Sequence, residues 1–299
     1  MTQSIDSLLE RAESIMLRLE SLLSQASKEP DWSSATAFRW RGLDRPERLR
    51  PISHPKTLKL ADIRCIDRQK TLISRNTRQF LQGLPANNVL LWGSRGTGKS
   101  SLIKALLNEY ADEGLRLIEV DRQHLAELPD ILELLESRPE KFILYCDDLS
   151  FEADDASYKR LKAAMEGSLS GLSNNVLVYA TSNRRHLLPE YQGENQEARY
   201  YAGEYLRCEI HHGDTVEEKI SLSERFGLWL SFHPFTQDEY LEIVCYWLEK
   251  LGVLPLDLEP VRLLALRFAL ERGSRSGRVA WQFARDWAGR LGLENIMEQ

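Results

Sequence analysis

The chain of 299 residues is poor in cysteine and has no paired cysteines. Four cysteines lie far apart along it, and no two form a CxxC pair: they are Cys65, Cys146, Cys208 and Cys245. This spacing favours reduced thiols in a reducing compartment over a disulfide framework or a zinc site.

Long apolar segments are also missing. No stretch approaches 18 consecutive apolar residues, so we expect no membrane-spanning helix. The first residues carry Asp6, Glu10 and Glu13, where a secretory signal would need an apolar core. Hydrophobic residues make up 42% of the chain and charged residues 28%, which is typical of a soluble globular protein. We therefore expect a cytoplasmic enzyme without a membrane partner.

The chain has no excess of positive charge. The formal net charge is −6, which argues against a generally basic nucleic-acid binder but not against a local basic patch. Residues 31–60 are such a patch, with seven Lys or Arg residues against three acidic ones and with Trp32, Phe38 and Trp40 among them. These aromatic side chains either stack on bases of a nucleic acid or pin an extended segment to a neighbouring surface.

The N-terminal 60 residues divide into two parts. Residues 4–27 repeat apolar side chains at heptad spacing, which predicts an amphipathic helix. Such a helix either docks on its own domain or binds a partner as a coiled coil. Residues 28–60 contain four prolines that break this pattern. We interpret 1–60 as a helix followed by a basic, proline-rich linker.

From residue 61 onwards, short apolar runs alternate with helical patterns. The first helix is predicted over 67–82, and the runs are Val89–Trp92, Leu115–Val120, Phe142–Cys146, Val176–Ala180 and Leu228–Phe232. This alternation predicts an α/β domain over 61–233 with a parallel sheet. Residues 236–251, 257–272 and 276–292 have helical patterns, and Thr236 with Glu239 suits a capping box. We therefore expect a second, all-helical domain over 234–299.

A glycine-rich loop carries the strongest functional signal. Residues 93–100 fit the pattern GxxxxGK[ST] at every fixed position, between an apolar run and a helical stretch; they are Gly93, Ser94, Arg95, Gly96, Thr97, Gly98, Lys99 and Ser100. The glycines let backbone N–H groups wrap a phosphate, and the next helix presents its positive end to the same anion. Lys99 is expected to neutralise phosphate charge, and the Ser100 hydroxyl to ligate Mg²⁺.

Acidic residues follow the apolar run 142–146. We expect Asp147 and Asp148 beside the glycine-rich loop, because the carboxyl ends of parallel strands share one edge of the sheet. Asp147 is the candidate for holding Mg²⁺, and Asp148 the candidate for orienting or activating a water molecule. Glu152 is an alternative for the second role. A plain helix cap is the alternative reading of both Asp148 and Glu152.

Three further polar residues complete the candidate site. Asn183, or Thr181 as second choice, follows the run 176–180 and is expected to hold the attacking water. Arg225 lies just before the run 228–232, where it is expected to reach the nucleotide of a neighbouring subunit. Arg278 opens the last predicted helix and is expected to fold back onto the nucleotide.

Together these motifs resemble the AAA+ ATPases over about residues 61–292. Narrower stretches, such as NNVLLWGSRGTGKSSL and SLSERFGLWLSF, resemble an uncharacterised bacterial AAA+ family. The resemblance implies a P-loop NTPase sheet of five parallel strands in the order 5-1-4-3-2 with an α-helical lid. It also implies binding and hydrolysis of ATP with Mg²⁺, and a ring or spiral of identical subunits with composite active sites. Ser101 would extend the phosphate loop, and Ile66 would pack on the adenine.

The sequence departs from the general AAA+ pattern in two places. Asp148 stands where many relatives carry Glu, so its shorter side chain puts the hydrolytic role in question. The stretch 184–221 is longer than a connection there needs, and it contains the adjacent pair His211 and His212, an unfavourable arrangement for binding one metal ion. No aromatic–aliphatic–glycine pore loop is evident, which weakens a protein-threading role.

Two functions of different classes follow from these motifs. The first is an ATPase that drives conformational work on a client. The second is a weakly hydrolysing, ATP-dependent switch or scaffold that recruits a protein or nucleic-acid partner, with nucleic acid contacting residues 31–60. A small-molecule kinase would leave Arg225 and Arg278 without a role.

Overall fold

The computed structural model describes residues 31–53, 58–151, 158, 161–162, 165, 174–184, 187, 223–253 and 258–297. The predicted helix 4–27, nearly all of the stretch 184–221 and the residue Glu152 lie outside this part of the chain. The described residues form one sheet with helices on both faces, followed by three helices.

Seven strands build the sheet. Their bounds are β1 Ala37–Trp40, β2 Leu49–Pro51, β3 Val89–Gly93, β4 Leu115–Glu119, β5 Lys141–Cys146, β6 Val176–Ser182 and β7 Leu228–Phe232. Their order across the sheet is β2-β1-β4-β5-β6-β3-β7, and all neighbours are parallel except the antiparallel pair β1 and β2. The α/β class with a mostly parallel sheet is therefore confirmed.

The predicted count of five strands was wrong, and the order of the whole sheet differs accordingly, although the five predicted runs keep the relative order 5-1-4-3-2. The strands β1 and β2 lie within 31–60, which we expected to be a linker, and they extend the sheet beyond β4. Trp32, Phe38 and Trp40 are 6%, 0% and 1% exposed, so burial of their rings fixes this segment to the domain. Of the two roles considered for these aromatics, the structure shows attachment to the neighbouring surface.

The sheet separates two apolar cores, as the alternation of side chains along a strand requires. In β5, Ile143 and Tyr145 lie in one core, while Phe142 and Leu144 lie in the other. Helices α1 (Asp67–Leu81) and α2 (Lys99–Tyr110) cover the first face, and α3 (Leu128–Glu136) covers the second. Because both faces are buried, the central strands are continuous apolar runs.

The three helices after the sheet are α4 (Gln237–Lys250), α5 (Leu258–Glu271) and α6 (Gly277–Met297). The predicted capping box at the start of α4 is confirmed: the Thr236 hydroxyl accepts from the amide of Glu239 at 3.3 Å, and the Glu239 carboxylate accepts from the amide of Thr236 at 2.8 Å. None of the described helices is long and apolar enough to cross a membrane.

Candidate functional site

The loop after β3 contains glycines whose backbone conformations would be strained in any other residue. Gly93, Gly96 and Gly98 have φ values of +125°, +75° and +101°, in the left-handed region. A Cβ atom on Gly93 would lie 2.0 Å from the carbonyl oxygen of Phe232 in the adjacent strand β7. The Thr97 hydroxyl donates to the carbonyl oxygen of Ser94 at 2.7 Å and closes the turn. The local sequence therefore fixes the loop conformation.

Lys99 begins helix α2 and points its ammonium group back into the loop. Its side chain is 7% exposed, and Nζ donates to the carbonyl oxygens of Gly93 and Ser94, both at 2.7 Å. Burial lowers the pKa of this ammonium group, and the nearby charges of Asp148 and Asp147 partly oppose that effect. A phosphate anion in the loop would also favour the charged form.

Asp147 follows β5 and accepts two hydrogen bonds on one carboxylate oxygen. The Ser100 hydroxyl donates to Oδ1 at 2.7 Å, and the Thr181 hydroxyl donates to the same atom at 2.6 Å. Burial alone would raise the pKa of Asp147, but hydrogen bonds, the one from Thr181 foremost, outweigh it and lower the pKa. The carboxylate therefore stays ionised beside the loop. The hard oxygen atoms of Ser100 and Asp147 fit the ligand preference of Mg²⁺.

Asp148 has an unusual backbone conformation, with φ at +51°. The Thr181 hydroxyl accepts from its amide N–H at 2.9 Å and so holds this turn. Its carboxylate accepts a hydrogen bond of 2.5 Å from the Asn183 side chain, whose own oxygen accepts from Lys99 Nζ at 3.3 Å. Asn183, directly after β6, therefore links Asp148, the candidate base, to Lys99, the candidate phosphate-binding residue.

The start of α6 lies against the glycine-rich loop. A Cβ atom on Gly96 would lie 2.8 Å from both Cβ and Oγ of Ser276 and 3.7 Å from Cβ of Arg278. Ser276 is buried and its side chain accepts from the amide of Val279 at 3.3 Å, which caps α6. The helical region therefore carries Arg278, with its exposed side chain, to the loop.

The segment before α1 closes the other side of the loop. A Cβ atom on Gly98 would lie 3.5 Å from Ile63 and 3.9 Å from Ile66, both of which are buried. Two contacts tie this segment to α4: Tyr246 donates to the Asp62 carboxylate at 2.6 Å, and Lys250 makes an ion pair with the same group. Ile63 and Ile66 thus form an apolar surface on this side of the loop.

Arg225 does not join this cluster within one chain. In the parallel pairing of β3 and β7, Val89 lies beside Leu228 and Gly93 lies beside Phe232. Arg225 precedes Leu228 by three residues, so it lies beyond the opposite end of the sheet from the loop. The five residues of β7 span about 16 Å, which is the distance between the two ends of the sheet at this strand. Its turn is firmly packed, since Phe226 is 1% exposed.

Sequence reasoning missed the role of two residues. Thr181 was the second choice for holding water, but its hydroxyl binds the Asp147 carboxylate and the backbone of Asp148. Because Cys146 lies beside Ala180 in the sheet, the next residues along the two strands, Asp147 and Thr181, are also neighbours. Ser276 carried no signal, because its contact with Gly96 joins distant parts of the chain. The part of the chain that the structure describes contains no cluster of three or more metal-binding side chains, and His211 and His212 lie outside it.

A family model described as "Protein of unknown function (DUF815)" matches residues 33–291. The chain belongs to this family. The match begins before β1, so the two additional strands lie within the family region. A search of the curated proteins found no match.

Solved structures show that the fold of this DUF815 protein is the AAA+ fold. Two variants of RuvB from Thermotoga maritima are 15% and 16% identical to it, each with a TM-score of 0.50 over 76% of this chain and 63% of theirs. The Orc1 protein of Aeropyrum pernix, solved in complex with DNA, is 16% identical, with a TM-score of 0.50 over 76% of this chain and 60% of its own. The chain thus spans about three fifths of the length of these proteins.

Proposed function

We propose that the protein binds ATP with Mg²⁺ and hydrolyses it, as an oligomer whose active sites are shared between subunits. One observation supports this best: Lys99, Ser100, Asp147, Asp148 and Asn183 are joined, through the Thr181 hydroxyl, into a connected set of hydrogen bonds at the mouth of the glycine-rich loop. We further propose that residues 61–233, together with the strands β1 and β2 that extend their sheet, form the ATPase unit and that 234–299 act as its lid.

Each residue at the loop has a role that its chemistry suits. The backbone N–H groups of 93–101 and the ammonium group of Lys99 would bind the β- and γ-phosphates. The oxygen atoms of Ser100 and Asp147 would hold Mg²⁺, which supplies positive charge against the phosphate oxygens. Arg278 would contact the nucleotide from the lid, and Ile66 would pack on the adenine.

The carboxylate of Asp148 would accept a proton from the attacking water. General-base assistance of this kind contributes roughly 10²–10⁴-fold to a rate. Asn183 would orient the same water, because its amide lies between Asp148 and Lys99. Arg225 of a neighbouring subunit would stabilise the negative charge of the transition state.

Nucleotide binding and steady-state phosphate release test the proposal. Lys99→Ala should abolish binding of ATP, because the charge that faces the phosphates is removed. Lys59→Ala is the matched control, since Lys59 is exposed and lies outside the loop. Normal turnover by Lys99→Ala, in a protein that is folded by circular dichroism, would refute the assignment of the loop.

A second candidate function is an ATP-dependent binding switch or scaffold that barely hydrolyses and recruits a protein or nucleic-acid partner. Two features favour it: Asp148 is one methylene shorter than Glu, and its carboxylate is already engaged by Asn183 at 2.5 Å. Phosphate release distinguishes the two functions. Brisk turnover that Asp148→Asn lowers by about 100-fold or more, while Glu152→Gln does not, supports the ATPase with Asp148 as base. Negligible turnover with tight ATP binding supports the switch.

A further inference from the structure

The hairpin of β1 and β2 places arginines together on one of its faces. Arg39 pairs with Arg50 across the two strands, and the amide of Arg41 donates to the carbonyl oxygen of Arg48 at 2.8 Å. Side chains that are paired across strands or two residues apart lie on the same face. We name Arg39, Arg41, Arg48 and Arg50 the arginine face. The opposite face carries Phe38, Trp40 and Leu49, which are buried.

Most of the positive charge on the arginine face is not neutralised. Arg39 makes an ion pair with Glu119 at 2.7 Å. Arg41, Arg48 and Arg50 are exposed, and no ion pair or side-chain hydrogen bond joins them to another described residue. Arg45 adds a fifth guanidinium group in the turn, against the acidic residues Asp44 and Glu47. The hairpin is therefore locally basic in a chain with a net charge of −6.

We propose that the arginine face binds the phosphate backbone of nucleic acid. All five basic groups of the hairpin are guanidinium groups, whose planar forks bind phosphate oxygens in pairs. Arginines two residues apart on a strand are spaced by about 6.7 Å, so the face presents charges at regular intervals to a regularly charged polymer. The hairpin aromatics Phe38 and Trp40 are buried, so binding does not involve stacking on bases and is independent of sequence.

The small exposed apolar area of the hairpin favours nucleic acid over a membrane surface. Leu43, in the turn, is 37% exposed and is the one large apolar residue exposed among residues 37–51. A membrane-binding surface needs a larger apolar area beside its basic residues. The polymer backbone of a nucleic acid needs only charge and hydrogen-bond donors, which the arginine face supplies.

The arginine face is separate from the glycine-rich loop. In the sheet, β4, β5 and β6 lie between β1 and β3, which leads into the loop. Four strand spacings separate the two sites by about 19 Å. The proposal therefore goes beyond the proposed ATPase and does not depend on it.

Fluorescence anisotropy of the full-length protein with labelled nucleic acid tests the proposal. The probes are a 30-base-pair duplex of mixed sequence and its single strand, each titrated at several salt concentrations. The variant is R41Q/R48Q/R50Q. The matched control is R267Q/R272Q/R290Q, which removes three exposed arginines from α5, its C-terminal end and α6. Basal phosphate release in both variants should equal that of the wild type.

The wild type should bind at least one probe, more weakly as salt rises. Loss of three phosphate contacts should make the negative slope of log K against log salt shallower by about 2–3 and weaken binding at least tenfold. The affinity of the control variant should stay within twofold of the wild type. The proposal is overturned if the wild type binds neither probe or if both variants lose affinity equally. Binding of vesicles with 20% phosphatidylserine but not of nucleic acid overturns it in favour of a membrane. A changed oligomeric state in R41Q/R48Q/R50Q alone overturns it in favour of a subunit interface.

Discussion

At the scale of single residues, Thr181 determines how the two aspartates are presented. Its one hydroxyl group donates to Asp147 at 2.6 Å and accepts from the amide of Asp148 at 2.9 Å. Asp148 has φ at +51°, a conformation that costs a non-glycine residue free energy unless its surroundings hold it. The hydroxyl therefore couples the proposed Mg²⁺ ligand to the proposed base.

We expect Thr181→Val to uncouple them while keeping the volume of the side chain. Loss of the hydroxyl leaves the Asp148 amide without its acceptor and Asp147 without one donor, so the free energy of unfolding should fall by about 1–3 kcal/mol. Mg²⁺-dependent ATP turnover should fall about 10–100-fold, as when groups that orient metal ligands are removed. Thr181→Ser keeps the hydroxyl and should retain most activity. Equal turnover in the two variants would show that the hydroxyl has no such role.

At the scale of secondary-structure elements, two sets of contacts connect the proposed nucleotide site to the proposed lid helices. The glycine-rich loop contacts α6, and the segment before α1 contacts α4. Gly96 and Gly252 allow one of these contacts to be tested, because their φ values are +75° and +74°. A Cβ atom on Gly252 meets nothing within 4 Å, whereas one on Gly96 meets Ser276 at 2.8 Å. Alanine at either position would therefore suffer the same backbone strain, but only alanine at position 96 would also collide with a neighbouring residue.

Gly96→Ala should therefore weaken ATP binding about tenfold or more, because α6 must move away from the loop to accommodate the methyl group. Gly252→Ala should leave binding unchanged, and each variant should lose about 1–2 kcal/mol of stability from strain. Adding Ser276→Gly to Gly96→Ala removes the colliding atoms at little cost to the helix cap, so binding should recover. Isothermal titration calorimetry gives these affinities. Without recovery, the loop–helix contact is not the cause.

Asp62 ties the segment before α1 to α4 and makes that connection dependent on pH. Burial acts to raise its pKa, but hydrogen bonds from Lys250 and Tyr246 outweigh it, so the folded pKa is lowered. A lowered folded pKa means that the ionised group stabilises the fold above the unfolded value of about 3.9. That stabilisation is lost as pH falls from there through the folded pKa.

Asp62→Asn should consequently flatten the acid side of the stability curve. The wild type should lose stability more steeply than the variant below about pH 4, and the variant should be less stable at neutral pH. Chemical denaturation at a series of pH values measures both effects. Glu242→Gln is the control, because the ion pair of Glu242 with Arg64 at 3.1 Å is exposed and contributes little. Parallel curves for wild type and Asp62→Asn would contradict the assignment.

The elements differ in how far the sequence alone predicts them. The glycine-rich loop, the central strands and the capped helix α4 follow from short-range patterns, because each is set by neighbouring residues. The strands β1 and β2 have four and three residues and lie among prolines and arginines. Their stability comes from pairing with β4 and from burying Phe38 and Trp40, contacts between distant parts of the chain. The local sequence pattern of residues 28–60 alone therefore indicated a linker.

The candidate site divides in the same way. The sequence could place Lys99, Ser100, Asp147 and Asn183 close together, because each follows the end of a predicted strand or belongs to one motif. The contact of Ser276 with Gly96 and the double role of Thr181 depend on the packing of separate elements. Sequence spacing carries no information on such distances.

At the scale of the whole molecule, the position of Arg225 bears on the proposed assembly. This residue lies beyond the end of β7 that is opposite to the glycine-rich loop, so it is distant from the loop of its own chain. Ser223 and Phe226 are 0% and 1% exposed, so the turn that presents Arg225 is fixed in the fold. A rigidly held, exposed arginine away from its own site is suited to complete the site of a neighbouring copy.

Mixing two inactive variants tests this directly. Arg225→Ala should bind ATP but lose about a thousandfold or more of turnover, and Lys99→Ala should bind none. In an oligomer of both, an intact loop from an Arg225→Ala subunit can meet an intact Arg225 from a Lys99→Ala subunit. Random equal mixing forms about a quarter of the interfaces in this way, so phosphate release should recover to about a quarter of the wild-type rate. If Arg225 acts within its own chain or only stabilises the fold, the mixture stays inactive at every protein concentration.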